Sequence, residues 1–479
     1  MAVARLTRVP NSLVLFGVGY LSTLVPGPPP FQVDPDLVLI LFLPPLIYAS
    51  TVSVSWHMLR FTFLPGVGVG TLIVFVTIGT VAVALRFFLL PDLSWSAALL
   101  VGIVAAVFDT RLFEEAKGRQ QVPRAIADTL NSRELVGRIL ILATLAIVEE
   151  RLTSGRLTAG SAVGSYLLDI PAGILIGIII GRAAMWARQR IDPAPVEIAV
   201  SVATPYGAAL VAHLCGLSVV AAVTAAALVV SAVRVNAQSG ATVSSSDTRI
   251  NASAFWDEVR LFASSVLFLL AGRAIPAALS TLEAWPVWRL GVAAAVLLGL
   301  VLVIQFGFSL LGTSLPPIAG ALRRQQGRRR EIAAAGVMAW SSTRSVIGLL
   351  VALSIPTTLR DGSPFQERDL ILILATFVVV GSLIVQGLTI ARLFMWAQLA
   401  EPAEQEREEE MAHRAMESTA GHRDLTSEAL QDAARQALIG LRQRDEIGDE
   451  VLAKMLHETD LKARAAEQDS LKATEKAQD

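Results

Sequence analysis

Residues 99–113 read LLVGIVAAVFDTRLF, an apolar stretch that ends close to a single carboxylate, Asp109. An ionisable side chain at membrane depth is costly and is a functional-site hypothesis by default. The next apolar run covers residues 139–148. Three charged residues stand just before it: Arg133, Glu134 and Arg138. The sequence therefore predicts charges of both signs on two consecutive apolar segments.

Composition decides the broad class of the protein. The chain is 53% hydrophobic and only 17% charged, with a mean hydropathy of +0.58, whereas about a quarter of a soluble domain is charged. These values predict an all-α polytopic protein of the lipid bilayer. The single cysteine, Cys215, excludes an intramolecular disulfide. The five histidines lack zinc spacing and a Ser-His-Asp order, so no enzyme, cofactor or metal is predicted, and no nucleic-acid partner.

Hydropathy divides most of the chain into membrane spans. A span needs about twenty predominantly apolar residues, and this rule predicts about twelve helices. Lys and Arg alternate between successive loops, which predicts a multi-pass protein of the cell membrane with both termini cytoplasmic. The predicted spans are 11–25, 37–53, 63–89, 96–113, 134–150, 163–187, 196–214, 217–233, 259–277, 285–313, 332–355 and 369–395.

Several spans contain residues that interrupt helices. Pro44, Pro45 and Pro205 lie within apolar runs, and residues 341–345 place four small polar side chains and Arg344 in mid-span. Secondary transporters present ion sites at the ends of interrupted helices, although Gly and Pro are also common in ordinary membrane helices.

The composition changes after Gln398. Residues 399–479 are rich in charge and carry helical periodicity in pieces. The sequence therefore predicts two domains, a transmembrane domain over 1–398 and a soluble helical tail over 399–479. The tail is expected to be a surface or self-association element, or a solvated segment with no specific partner.

Six motifs in register resemble the monovalent cation/proton antiporter family, the sodium/proton exchangers, and in particular its NhaP-like branch. They run in order along nearly the whole chain. The matching segments are FLPPLIY (42–48), TPY (204–206) with LS (217–218), FW (255–256) with LFLLAG (267–272), WSSTR (340–344), TF (376–377) with VQGLT (385–389), and EIGDEV (446–451).

The resemblance implies an inverted-repeat fold in which two unwound helices cross, and a homodimer. It also implies secondary active transport by alternating access, in which one carboxylate binds either a proton or a Na+ or K+ ion, with a role in pH homeostasis. Asp109 lies at the family's aspartate of the first crossing helix, and Arg344 at the arginine of the second.

The ion site departs from the family pattern. The family's T-D-P is Phe108-Asp109-Thr110 here, so Thr110 offers a hydroxyl only after the carboxylate. The family's ion-binding aspartate falls on Arg138, its preceding glutamate falls on Arg133, and Ser264 stands where an asparagine is usual.

These changes reverse the expected electrostatics. A guanidinium is always protonated, so Arg138 is expected to pair with Asp109 and keep it ionised. Glu134 is expected as the partner of Arg344 if the helix register allows. Arg133 and Arg111 are expected to extend towards the cytoplasmic interface.

Three readings follow from the sequence. The first is a divergent cation/proton antiporter that uses Asp109, with Thr110, Ser264 and Ser341 to Ser345 as oxygen ligands. The second is a transporter fold without cation exchange, acting through its tail. The third is a carrier of an anion or organic solute held by Arg111, Arg138 and Arg344. For each charge, an ion pair that serves only packing is the plain structural alternative.

Overall fold

The computed structural model is almost entirely helical over the residues that it describes. These residues are 11–24, 35–52, 56–110, 113, 124–154, 159–188, 190, 194–232, 246–282, 286–313, 328–359, 362–399, 402–420, 427–444, 446–448, 451–452, 454–456 and 458–459.

Every predicted span overlaps a helix or a pair of half-helices. Up to residue 214 the elements are α1 (Asn11–Ser22), α2 (Pro35–Thr51), α3 (Trp56–Ala84), a π-helical turn (Leu85–Leu89), α4 (Trp95–Ala106), β1 (Phe108–Asp109), α5 (Arg124–Ser154), α6 (Ala159–Arg188) and α7 (Ala194–Leu214). They continue with α8 (Val219–Ala232), α9 (Ser246–Thr281), α10 (Val287–Thr313), α11 (Arg328–Ser341), β2 (Thr343–Arg344), α12 (Val346–Ser354), α13 (Arg368–Ala397), α14 (Pro402–Ala420) and α15 (Ser427–Gln443).

The surface is that of a membrane protein. Large apolar side chains face outwards, with Phe88 79%, Leu214 76% and Trp288 70% exposed, while Arg133 and Arg344 are among the largest fully buried side chains. This is the reverse of a soluble protein, in which charged residues are almost never fully buried. In the described part of the chain, six helices are long and apolar enough to cross a membrane and four apolar helices are shorter. The multi-pass helical class is confirmed, and the count of about twelve crossings stays a prediction.

The helices pack in two sets. The first set comprises α3, α4, α5, α10, α11, α12 and α13. The second comprises α1, α2, α6, α7, α8 and α9. They meet where α12 contacts α2, where α9 contacts α12 and α13, and more weakly where α5 contacts α6 and α8. Within the second set, α6 approaches α8 through glycines, and a Cβ added at Gly177 would lie 2.1 Å from the Ala222 carbonyl oxygen. Small residues allow such close approach of membrane helices.

Two elements of the first set cross as extended chain. β1 follows the end of α4, and β2 separates α11 from α12. The strands pair antiparallel, with Phe108 opposite Arg344 and Asp109 opposite Thr343. The predicted interruption within residues 341–345 is therefore confirmed, and it lies directly against the interruption at Asp109.

The prolines do not interrupt their helices, which agrees with the ordinary occurrence of proline in membrane helices that the sequence analysis left open. α2 continues through Pro44 and Pro45, and α7 continues through Pro205. Pro45 has no N–H to donate to the carbonyl of Leu41, four residues earlier. The Tyr206 hydroxyl donates to this Leu41 oxygen at 2.9 Å. A neighbouring helix thus replaces the missing hydrogen bond, which is how proline is tolerated inside membrane helices.

The tail is helical and has a small core of its own. α14 and α15 pack together, and an ion pair joins Lys454 to Glu409 at 2.9 Å. This core contains Ala412, Leu438, Leu441, Ile447, Val451 and Met455. The described part of the tail therefore forms a packed unit, while the domain boundary at 398/399 stays a prediction.

Candidate functional site

The extended crossing places Asp109 inside the protein. Asp109 is buried, with only 7% of the residue exposed. Its backbone carbonyl accepts a hydrogen bond from the Thr343 hydroxyl at 3.0 Å, so the second strand holds the first in position. α4 ends at Ala106, and the chain beyond it is extended rather than helical. Asp109 therefore lies on irregular backbone that is covered by protein, which is the condition under which membrane proteins tolerate such backbone.

The partner of Asp109 is Arg260, on α9. Arg260 Nη2 lies 3.1 Å from Oδ2 and 3.3 Å from Oδ1 of Asp109. The expected pairing of Asp109 with Arg138 is therefore wrong. Successive side chains of an extended chain point to opposite sides, so Asp109 points towards α9 while the next residue, Thr110, points towards α5.

Arg138 pairs instead with Glu134, four residues earlier on α5. Its Nη2 donates to Glu134 Oε1, and its Nη1 donates to the Ser50 hydroxyl at 2.5 Å. The other Glu134 oxygen, Oε2, accepts from Thr110 N at 3.1 Å and from Thr110 Oγ1 at 2.7 Å. Thr110 Oγ1 also lies 3.2 Å from Asn131 Oδ1. The pair on α5 thus anchors the residue that follows Asp109.

Arg344 binds helix ends rather than a carboxylate. Its guanidinium donates to the carbonyls of Ala105 and Ser342, the latter at 2.7 Å. These carbonyls lie at the C-terminal ends of α4 and α11, where the helix dipoles favour a cation. The backbone N–H of Arg344 donates to the Ser382 hydroxyl on α13 at 2.9 Å. The expected contact of Arg344 with Glu134 is wrong, because both Glu134 oxygens are engaged elsewhere.

Arg133 points into the protein and not towards the interface. It is 1% exposed, and its guanidinium donates to Gln305 Oε1 at 2.9 Å and to Ser309 Oγ at 3.3 Å. Both partners lie on α10, so the expected extension of Arg133 to the membrane surface is wrong. Arg111 lies outside the described residues.

The predicted hydroxyl ligands are mostly engaged. Ser264 Oγ donates to the Arg260 carbonyl at 2.7 Å, one turn from the guanidinium that binds Asp109. Ser342 donates to its own helix, and Ser345 caps α12 by accepting from Ile347 N. Within the described residues, the buried Ser341 hydroxyl has no hydrogen-bond partner.

The charges around the crossing are unbalanced in the described part of the chain. The buried carboxylates at the crossing are Asp109, which is bound by Arg260, and Glu134, which is bound by Arg138. Two further guanidiniums contact only neutral oxygens, as described above for Arg133 and Arg344. The sequence analysis missed Arg260, Asn131, Ser50 and Gln305. Of these, Arg260 carried a usable signal, because it is a charge beside the apolar run that holds Ser264.

Comparison with known proteins gives one consistent family. A family model described as "Sodium/hydrogen exchanger, transmembrane" matches residues 2–396. An uncharacterised Na+/H+ exchanger of Mycobacterium tuberculosis strain H37Rv is 28% identical over 415 residues, which are 85% of this chain and 73% of that protein. The Na+/H+ antiporter NhaH of Halobacillus dabanensis is 26% identical over 413 residues, which are 82% of this chain and 93% of that protein.

A solved structure supports the same fold. The sodium proton antiporter MjNhaP1 from Methanocaldococcus jannaschii superposes with a TM-score of 0.58 at 15% sequence identity. The match covers 80% of this chain and 94% of that one. At this identity the likeness concerns the fold alone, and it agrees with the multi-pass helical architecture described above.

Proposed function

This chain belongs to the transmembrane sodium/hydrogen exchanger family, and on that premise we propose that it exchanges a monovalent cation, Na+ or K+, for protons by alternating access around Asp109. Transport proteins of this kind are secondary transporters and perform no covalent chemistry.

The buried position of Asp109 at the crossing of two extended segments carries the proposal. An isolated carboxylate in a low-dielectric interior must be neutralised by a proton or a cation. A single site that accepts either, but does not cross empty, couples the two fluxes in opposite directions. Asp109 has this location, and its ion pair with Arg260 is a contact that a cation or a proton can replace.

The neighbouring residues have separate roles in this proposal. Glu134 and Arg138 form a fixed pair that anchors Thr110, and Arg344 holds the two helix ends together. Oxygen ligands for a dehydrated cation come from the crossing itself, with Thr110 beside the carboxylate and Ser341 as a free buried hydroxyl. Ser264, on α9, completes the ligand set if its hydroxyl turns from its own helix towards Asp109.

The proposal also covers the number of spans, their symmetry, the oligomeric state and the orientation in the membrane. We place about twelve spans in an inverted repeat, in which α3, α4 and α5 correspond to α10, the α11–α12 pair and α13. In each group extended chain accompanies the middle helix, with β1 after α4 and β2 between α11 and α12, and this supports the correspondence. A homodimer in the cell membrane, with both termini in the cytoplasm and residues 399–479 as a cytoplasmic domain, is consistent with the Lys and Arg distribution.

The direct test uses the full-length protein in proteoliposomes with a pH-sensitive dye inside. Addition of Na+, K+ or Li+ outside a preloaded vesicle should change the internal pH, and Asp109→Asn should abolish the response. No response to any of the three cations, in the wild type or in Arg138→Asp, would contradict cation/proton exchange. A response restored only in Arg138→Asp would show that the arginine inactivates the native site.

A further inference from the structure

Arg260 forms an ion pair with Asp109, the carboxylate to which the proposed function assigns cation and proton binding. Its Nη2 contacts both Asp109 oxygens, and the two side chains are 22% and 10% exposed. A guanidinium stays protonated at every pH that a protein survives. Arg260 is therefore a permanent cation that already occupies the place of a transported one.

The ion pair joins the two sets of helices. Asp109 lies on β1, which packs with α5 and β2 of the first set. Arg260 lies on α9, which packs mainly along α1 and α2 of the second set. Any relative movement of the two sets at this level must therefore open the pair.

We propose that Arg260 is a tethered competitor for Asp109, which the incoming cation or proton must displace before the two helix sets can move. The inference rests on the proposed exchange function. One negative charge is neutralised by one cation at a time, so Arg260, the proton and the alkali cation exclude one another. Without a bound proton or alkali cation, the Asp109–Arg260 pair is electrically neutral and holds the two helix sets together. Binding of a proton or cation to Asp109 breaks this link. Arg260 acts through Asp109 and is a positioning residue.

The competitor role is assigned to Arg260 and not to the other charged residues near Asp109. The Glu134 carboxylate interacts electrostatically with Asp109, but its own oxygens are held by Arg138 and Thr110. Asp257 interacts with Arg260 from the same helix. In the described residues, the charged groups around the pair are Asp257 on α9, Glu134 and Arg138 on α5, and Arg344 on β2, which binds carbonyls.

The test compares three full-length variants in proteoliposomes. Arg260→Gln keeps a hydrogen-bond donor and removes the charge, Arg260→Lys keeps the charge without the planar fork, and Arg273→Gln is the matched control. Arg273 lies on the same helix but contacts Ser22 on α1 at 3.4 Å. The measurements are the apparent KM for Na+ at fixed pH and the pH of half-maximal exchange.

Removal of the Arg260 charge should strengthen the binding of both Na+ and the proton to Asp109. We expect Arg260→Gln to lower the apparent KM for Na+ about tenfold and to move the half-maximal pH upwards by about one unit, because an adjacent opposite charge changes ion binding to a carboxylate by at least that factor. Arg260→Lys should change both values in the same direction by less. Arg273→Gln should match the wild type.

The outcomes separate this inference from the proposed function. If the wild type exchanges Na+ and Arg260→Gln only lowers the maximal rate, leaving KM and the pH profile in place, Arg260 is merely structural and the inference is wrong. If Arg260→Gln does not fold, the apparent KM for Na+ and the half-maximal pH of Arg260→Lys test the inference instead. If the wild type exchanges no cation, the proposed function itself is contradicted.

Discussion

Replacing Glu134 by Ala tests how the crossing is held in place. Glu134 binds Arg138 through one oxygen and the Thr110 N–H and hydroxyl through the other. The substitution leaves a buried guanidinium without its carboxylate and a buried backbone N–H without its acceptor. Both groups lie where water cannot readily replace the lost partner.

The magnitude follows from this burial. Breaking a buried ion pair by removing one partner costs about 3–5 kcal/mol, and an orphaned buried donor costs about 1–3 kcal/mol. Since one carboxylate binds both groups, we expect Glu134→Ala to lower the free energy of unfolding by about 4 kcal/mol. The double variant Glu134→Ala with Arg138→Met removes both charges and should recover most of this loss, leaving about 1–2 kcal/mol for Thr110.

The tail supplies a matched control. Glu410 and Arg414 have the same residue types, order and i,i+4 spacing, and their ion pair is 2.7 Å long with side chains 66% and 72% exposed. Glu134 and Arg138 are 10% and 5% exposed. Because water and salt screen the exposed pair, Glu410→Ala should cost only about 0.3–0.5 kcal/mol.

The assay is reversible unfolding of the purified full-length protein in detergent micelles, titrated with denaturant and followed by far-UV circular dichroism. A cost for Glu134→Ala no larger than that for Glu410→Ala would refute the reasoning. So would a double variant that is less stable than Glu134→Ala alone, because the pair would then not be the source of the loss.

Three further predictions concern packing and organisation. Tyr206→Phe should lower the free energy of unfolding by about 1–2 kcal/mol, because it leaves the Leu41 carbonyl without a donor; the same denaturant titration measures this loss. Gly177→Leu should abolish accumulation of folded protein, whereas Gly79→Ala, with nothing within 4 Å of the added Cβ, should be tolerated; size-exclusion chromatography in detergent distinguishes them, and equal yields would contradict the close helix approach. Truncation after Gln398 should leave membrane insertion and exchange activity intact, since the tail core is built from tail residues; loss of both would place the tail within the transport fold.

The sequence predicted the helical segments well because lipid imposes one simple rule. A helix that crosses a bilayer needs a long apolar run whatever its neighbours are, so each predicted span overlaps a helix or a pair of half-helices. The prolines of α2 show the limit of this local reasoning. Pro45 lacks the N–H that would bind the Leu41 carbonyl, which favours an interrupted helix. The Tyr206 hydroxyl, far away in the chain, donates to this carbonyl instead.

Most of the buried charged residues were identified from the sequence, but Arg260 and the pairing of the charges were not. Asp109, Glu134 and Arg138 were singled out because each is costly in an apolar segment. Their pairing depends on which way each side chain points. Asp109 and Thr110 are adjacent but face different helices, since the chain there is extended and not helical. Arg133 and Glu134 likewise contact different elements from one helix.

The amino-acid sequence alone determined the membrane class, the helical segments and several of the buried charges, because these depend on hydropathy and on the cost of each charge in lipid. Its motifs also indicated the family. Only the tertiary structure decided that Arg260 binds Asp109, that Arg138 binds Glu134 and that Arg344 binds helix ends. Asp109 and Arg260 are far apart in the chain and meet across 3.1 Å, while Glu134 and Arg138 pair within one helix. The physical reason is therefore geometric: a periodic pattern specifies a helix, but the packing of helices specifies which charges meet.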